Sequence, residues 1–225
     1  VSLEALKARL VERLAPVETW REDVPADRSD FDLNPTMDRS SRRLRQAAVL
    51  VPVIARKEGP TVLLTRRADT LSSHTGQIAF PGGRLDPGED AVTAALREAN
   101  EEVGLVAGAV EVLGLLAPYE TVTGFRVTPV VGWLARPPEL TPSPAEVAEV
   151  FETPWDFLMD VANHRQESYD LEPGVRRWFW AMPWGERYIW GATAGILKGM
   201  HARLYGDEPA PEAAVDEDAA KDDAA

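Results

Sequence analysis

Cysteine is absent from the 225 residues. Disulfide frameworks, zinc–thiolate sites and thiol catalysis are therefore excluded, and a reducing cytoplasm is the simplest home. No apolar run approaches the ~20 residues that span a bilayer, so no membrane association is expected. The first residues carry Glu4 and no apolar h-region, so no secretory signal is expected there. An excess of basic charge is also missing. The formal net charge is −13; Asp207 to Ala225 holds eight acidic residues and one lysine, and the rest carries about −6. A mildly acidic body with no basic stripe argues against nucleic-acid binding. A small anionic substrate stays open, because a bound cation reverses the local field. No internal repeat is present.

What is present reads as one layered domain with extensions. Leu3, Leu6, Leu10 and Leu14 recur at helical spacing, with Ser2 placed as the N-cap and Pro16 as the stop. Residues 17–45 are polar and irregular. Ala47 to Ala55 and Thr61 to Arg66 are β-branched runs around Lys57-Glu58-Gly59-Pro60, the pattern of a hairpin. Pro52 inside the first run suggests an edge strand or a bulge. Residues 68–88 read as loop. A helix is expected from about Asp90 to Val103, stopped by Gly104, its start set by an Asp86-to-Glu89 capping box or by Asp90. Strands follow over Val110 to Ala117 and Arg126 to Leu134, then short helical pieces over Ala145 to Phe151 and Pro154 to Val161. Strands at Arg176 to Trp180 and Glu186 to Trp190 flank a Pro183-Trp184-Gly185 turn, with Trp178, Trp180, Trp184 and Trp190 as hairpin core. Thr193 to Tyr205 is the last helix. Residues 1–30 are an N-terminal helix and extension, 31–205 the domain and 206–225 an acidic disordered tail. The N-terminal helix can pack on the domain or on a second subunit of a homodimer. The mixed order of strands and helices indicates an α/β (α+β) layered fold.

Glu98, Glu101 and Glu102 stand at i, i+3 and i+4 of the expected helix, on one face. Three like charges so close repel, and a divalent cation relieves that repulsion. Carboxylates without cysteine or histidine suit a hard ion, Mg²⁺ or Mn²⁺. Arg97, four residues before Glu101, can brace it. Ala91, Ala94, Ala95 and Val103 form the opposite face, small enough for close packing on a sheet. Such a cluster alone would more often be a solvated helix face.

The surrounding residues change that reading. Gly83, five residues, Glu89, seven residues, Arg97-Glu98-Ala99, one residue, Glu101-Glu102, one residue and Gly104-Leu105 resemble the complete Nudix box. Seven fixed identities match by chance on the order of once in 10⁸ windows. The resemblance implies an α/β/α sandwich around a mixed sheet, with the box as loop–helix–loop. It implies that Glu101 and Glu102 are the principal metal ligands. Glu98 is then a further ligand or the group that orients the attacking water, and the Gly82 carbonyl an extra ligand. Arg97 and Glu89 fix the loop on the helix. The general base varies across the family; Glu146 and Glu149 are later candidates beside the box carboxylates.

Upstream, Leu63-Leu64-Thr65-Arg66-Arg67-Ala68 and Gly76-Gln77-Ile78-Ala79-Phe80-Pro81-Gly82-Gly83 are similar to the signature of the coenzyme A pyrophosphatase subfamily. Ser72 replaces the second arginine of that signature. Tyr119 to Phe125 and Ile189 to Ala194 are also similar to stretches of the subfamily. The implied reaction is hydrolysis of coenzyme A to 3′,5′-ADP and 4′-phosphopantetheine, the partner being a small nucleoside-diphosphate molecule. Arg67 and His74 are candidate phosphate contacts, and Tyr119 and Phe125 candidate adenine or pantetheine contacts. Because of Ser72, ADP-ribose, a dinucleotide or a nucleoside triphosphate stays open as the substrate. A non-catalytic nucleotide-sensing domain is disfavoured, since all three carboxylates are retained.

Overall fold

The computed structural model describes residues 2–37, 39, 44–68, 76–172 and 175–206. Helix α1 (Leu3–Arg13) opens the chain, and the Ser2 hydroxyl accepts from Ala5 N at 3.2 Å, as its place in the sequence predicts. Then come β1 (Arg28–Ser29), β2 (Arg45–Ile54), β3 (Thr61–Arg67), β4 (Ile78–Ala79), β5 (Gly82–Arg84), helix α2 (Ala91–Val103), β6 (Glu111–Leu115), β7 (Tyr119–Glu120), β8 (Phe125–Leu134) and β9 (Val147–Pro154). The chain closes with α3 (Trp155–Met159), the hairpin strands β10 (Arg165–Glu172), β11 (Val175–Trp184) and β12 (Arg187–Trp190), and α4 (Ala192–Tyr205).

A mixed sheet runs β1-β7-β8-β2-β3-β4, with β5 also on β2, β6 on β8 and β9 on β3. Strands β2 and β8 are parallel from Arg45↔Phe125 to Ile54↔Leu134. Helices cover both faces, and β2 divides its side chains between two cores. Ala47, Val51 and Val53 join the core of α1 and α4, whereas Ala48, Leu50 and Ile54 join that of α2. A strand buried on both faces explains its continuous apolar run. Leu6 and Leu10 of α1 are fully buried, so the N-terminal helix packs on the domain. Each such leucine contributes about 2 kcal/mol of burial. Among the described residues no helix is long and apolar enough to cross a membrane.

Several local expectations are corrected. Residues 145–151 form no helix: Val147 begins β9, which pairs with β3 from Thr61↔Pro154 to Arg67↔Val147. The apolar positions Val147 and Phe151 suit either period, and the open edge of β3 decides in favour of the strand. Pro52 marks neither an edge strand nor a bulge: it lies inside β2, in register with Gly132 of β8 and with no register shift. On one side β2 meets β5 at residues 47–49 and β3 at residues 53–54, leaving Pro52 in the change of partner where no ladder donor is required. Strand β11 runs on through Trp184, and the turn falls at Gly185, in the left-handed region at φ 58°. Strand β10 was not expected, because Arg165–Glu172 is almost wholly polar and shows no buried face.

The segment after β1 staples the two sheets. The Asp30 carboxylate, 8 % exposed, accepts from the Tyr119 hydroxyl (2.8 Å), Val122 N (2.9 Å) and Arg177 Nη2 of β11 (3.3 Å). Asn34 accepts from Trp178 N and donates to Trp178 O, both at 2.8 Å. Asp30→Ala leaves these buried donors short of an acceptor and is expected to cost about 3 kcal/mol in urea unfolding. A loss below about 0.5 kcal/mol would mean that the staple is not stabilising.

Candidate active site

Helix α2 starts at Asp90, one of the two starts the sequence left open, and stops at Gly104 as the sequence predicts. Asp90 Oδ1 accepts from Thr93 N at 2.8 Å, and Gly104 turns left-handed at φ 70°. The Asp86–Glu89 contact forms too, Asp86 N donating to Glu89 at 2.9 Å, but it closes the preceding loop rather than the helix. A side chain on Gly104 would also strike Thr141 N at 2.9 Å.

Arg97 ties the loop to the helix. Its Nε and Nη2 donate to the two oxygens of Glu89, each at 2.9 Å. Nη1 reaches Glu98 (3.0 Å) and Glu101 (3.2 Å), and Nη2 also donates to Arg84 O (3.0 Å). These partners hold the guanidinium charged, and hydrogen bonds from Arg97 keep Glu89 below the usual carboxylate range.

The three glutamates of α2 differ in setting. Glu101 is half exposed, with 54 % of its side chain accessible. Glu98 is largely covered, and burial raises its pKa against the pull of Arg97. Glu102 is 5 % exposed. It accepts from Gly82 N at 3.3 Å, and Arg67 Nη1 lies 3.9 Å away. These do not offset its burial, and its pKa is pushed up to about 7; the charges of Glu98 and Glu146 add to the rise.

Glu146 lies near enough to Glu98 and Glu102 for its charge to act on both. Thr141 N donates to Val103 O and Ser143 N to Glu102 O, each at 2.8 Å, strapping this segment across the end of α2. Ala68 N then donates to Glu146 O at 2.8 Å. Glu149 does not join the cluster; it is paired with Arg66 and Arg187.

Gly82 and Gly83 let the carboxylates approach. A Cβ on Gly83 would land within the Glu98 carboxylate, and one on Gly82 would strike Ala48 O and Val49. With no side chains there, β5 separates the α2 carboxylates from a cleft of about 560 Å³. That cleft is lined by Arg67, Gly82, Gly83, Phe125, Ala192 and Thr193, among others. A hollow of about 340 Å³ adjoins it through Gln77, Thr123 and Ala192.

Arg67 and Phe125 are therefore in the cleft. Tyr119 is not: it is 5 % exposed, packs beneath Gly195 and gives its hydroxyl to Asp30. It lines a separate hollow with Trp20 and Asp27. His74 and Ser72 fall outside the described residues. Arg45 and Arg84, which sequence reading did not single out, line the cleft as well. Alternation places Arg45 on the face of Ala47 and Val49, but only strand pairing shows that Arg84 and Phe125 share it.

The NUDIX domain family profile matches residues 44–174. This chain belongs to the Nudix family. The uncharacterized Nudix hydrolase NudL of Cronobacter sakazakii is 45 % identical over 180 residues, 79 % of this chain and 91 % of the relative. NudL of Escherichia coli K12 is 44 % identical over 177 residues, 76 % and 89 % of the two chains. Among solved structures, the Nudix hydrolase RenU of M. smegmatis is 30 % identical with a TM-score of 0.45, covering 52 % of this chain and 74 % of that one. The chain is a Nudix pyrophosphohydrolase with the mixed α+β architecture of the family.

Nudix hydrolases generally use divalent metals, and the donor set here fits one. Among the described residues no three acidic or histidine side chains are drawn together around one point. Glu98 and Glu101 instead share Arg97, while Glu102 is buried with little countercharge. Oxygen donors in carboxylate excess suit a hard cation.

Two outcomes follow. Because folding raises the pKa of Glu102 from 4.5 to about 7, the folded metal-free protein binds more protons between those values. Its stability should fall as pH rises through that window, by up to about 3 kcal/mol relative to Glu102→Gln. Unfolding curves from pH 5 to 8 with chelator would read this; parallel curves for the two proteins would refute the assignment. Gly83→Ala should leave stability within about 1 kcal/mol, since only the mobile end of Glu98 must yield, yet lower turnover at least about tenfold. Full activity would mean that the close approach is dispensable.

Proposed function

We propose that the enzyme hydrolyses the diphosphate of coenzyme A or its derivatives to 3′,5′-ADP and 4′-phosphopantetheine, using Mg²⁺ or Mn²⁺. The observation that supports it is a cleft that lies across Gly82 and Gly83 from the α2 carboxylates and adjoins a second hollow, which gives room for groups on both sides of a diphosphate. The similarity of residues 63–83 to the coenzyme A pyrophosphatase signature supports the same substrate.

Glu101 and Glu102 would hold the cation, with Glu98 and the Gly82 carbonyl as further donors. When bound, the cation neutralises diphosphate oxygens and lowers the pKa of an attacking water. Arg97 keeps Glu98 and Glu101 in place and Glu89 holds Arg97. Glu98 and Glu146 are the carboxylates that could take the proton of the water. Arg67 at the cleft wall offers charge to a phosphate oxygen. His74 and Tyr119 carry less of this reading, the one lying outside the described residues and the other in the core. A cysteine-free chain suits a reducing cytoplasm.

Ser72 in place of the subfamily arginine favours a second reading, in which ADP-ribose, a dinucleotide or a nucleoside triphosphate is cut at the same centre. The protein with Mg²⁺ would be incubated separately with coenzyme A, ADP-ribose, NADH and a deoxynucleotide mixture, with products read by mass spectrometry. Release of 3′,5′-ADP is expected; coenzyme A left intact while another diphosphate is cut would overturn the substrate. Glu102→Gln should lower turnover by about 10²-fold or more without unfolding the chain. Unchanged turnover would remove Glu102 from the metal site.

A further inference from the structure

Along β2 and β5 the cleft runs from Val49 and Gly82 to Arg45 and Arg84. Arg45 is in register with Phe125 of β8, and Ala47 is in register with both Val127 and Arg84, so Arg45, Phe125 and Arg84 project from one face of the sheet. The Arg45 guanidinium lies 3.9 Å from the centre of the Phe125 ring and that of Arg84 5.6 Å. Arg45 Nη2 also donates to Thr123 O at 3.0 Å. Among the described residues neither guanidinium has a carboxylate within ion-pair distance. On their other side Arg45 and Arg84 border a hollow with Glu22, Asp86, Glu89 and Asp90, none of which pairs with either guanidinium among the described residues, so both cations remain available toward the cleft.

We propose that Arg45 and Arg84, held beside Phe125, clamp a phosphate monoester on the ribose of the substrate nucleotide, in addition to its diphosphate. The proposal rests on the reading of this cleft as a nucleotide-diphosphate site. Arg45, held against Phe125 and by Nη2 on Thr123 O, keeps its remaining N–H groups, and Arg84 its N–H fork, for phosphate oxygens, a donor pattern that takes two at once. Two cations repel each other, and a dianion between them removes that cost, whereas a neutral sugar edge would not. The clamp is two residues along β5 from Gly82, about 7 Å at the strand rise, on the scale of a ribose separating two phosphate substituents. Arg84 is also joined to the carboxylate corner, its carbonyl accepting from Arg97 at 3.0 Å. Diphosphate and ribose phosphate would thus be registered against one short strand.

The chemistry fits a phosphate at the 3′ position, as in coenzyme A, or at the 2′ position, as in a phosphorylated dinucleotide. Calorimetry on the full chain with Mg²⁺ would compare 5′-AMP, adenosine 3′,5′-bisphosphate and adenosine 2′,5′-bisphosphate. One bisphosphate should bind at least about tenfold more tightly than 5′-AMP, the effect of a charge-assisted pair. Arg84→Gln and Arg45→Gln should each cut that preference several-fold. Arg84 is exposed, so its variant will fold whether or not Arg45→Gln does. No preference over 5′-AMP, binding of none of the three, or a preference that survives Arg84→Gln would overturn the clamp. Coenzyme A turnover, measured in parallel, separates the two readings. Turnover without a bisphosphate preference removes the clamp alone. A 2′,5′ preference with coenzyme A intact keeps the clamp and removes coenzyme A as substrate.

Discussion

The guanidinium of Arg97 is the contact on which the carboxylate corner depends. It joins the loop through Glu89, the helix through Glu98 and Glu101, and β5 through the carbonyl of Arg84. One cation thereby hydrogen-bonds three carboxylates, with Asp86 a more distant fourth, while Glu102 is left with a backbone N–H and a distant Arg67. Residual negative charge of this kind, on oxygen donors, is what a hard cation offsets. A lysine could not replace Arg97, because a point charge lacks the planar fork that grips Glu89 at both oxygens while reaching its other partners.

The same corner carries a local conflict with stability. Burial of Glu102 raises its pKa to about 7, and the negative charges of Glu98 and Glu146 raise it further. Nothing in a folding argument asks for a carboxylate there; the apolar face of α2 would be better served by another alanine. Strain of this kind is expected where charge is held ready for a ligand. The surrounding packing tolerates it because Ala91, Ala94, Ala95, Ala99 and Val103 seat the helix firmly on the sheet.

Placement of the cleft follows from how thin β5 is. Gly82 and Gly83 carry no side chain, so α2 carboxylates approach the strand from one side while the cleft opens on the other. The opening ends at α4, where Ala192, Thr193 and Ile196 form a wall, and Thr193 is pinned by its hydroxyl to Ile78 O at 3.0 Å. Asp30 and Asn34 couple the small sheet to the large one beside it, so the adjoining hollow has a rigid border at Arg177 and Trp190.

The helix, its stop and the carboxylate face were legible because each depends on residues within one or two turns: Gly104 and the i, i+3, i+4 spacing of Glu98, Glu101 and Glu102, whereas Asp90 was one of two possible starts. So were β2 and β8, whose apolar runs are long enough to have one reading. Strand β9 was not, since Val147 and Phe151 fit a helix until the free edge of β3 recruits them. Polar β10 was not, since only its pairing with β11 makes it a strand. By itself the sequence determined the family, because the residues of its motif lie within one short loop and helix and act through local geometry. Only the tertiary structure decided which groups meet that motif. Glu146 arrives through a strap across α2, Glu149 and Tyr119 are drawn off to other partners, and Arg45, Arg84 and Phe125 converge from three strands. Those meetings depend on strand order and register, which residues far apart in the chain set jointly.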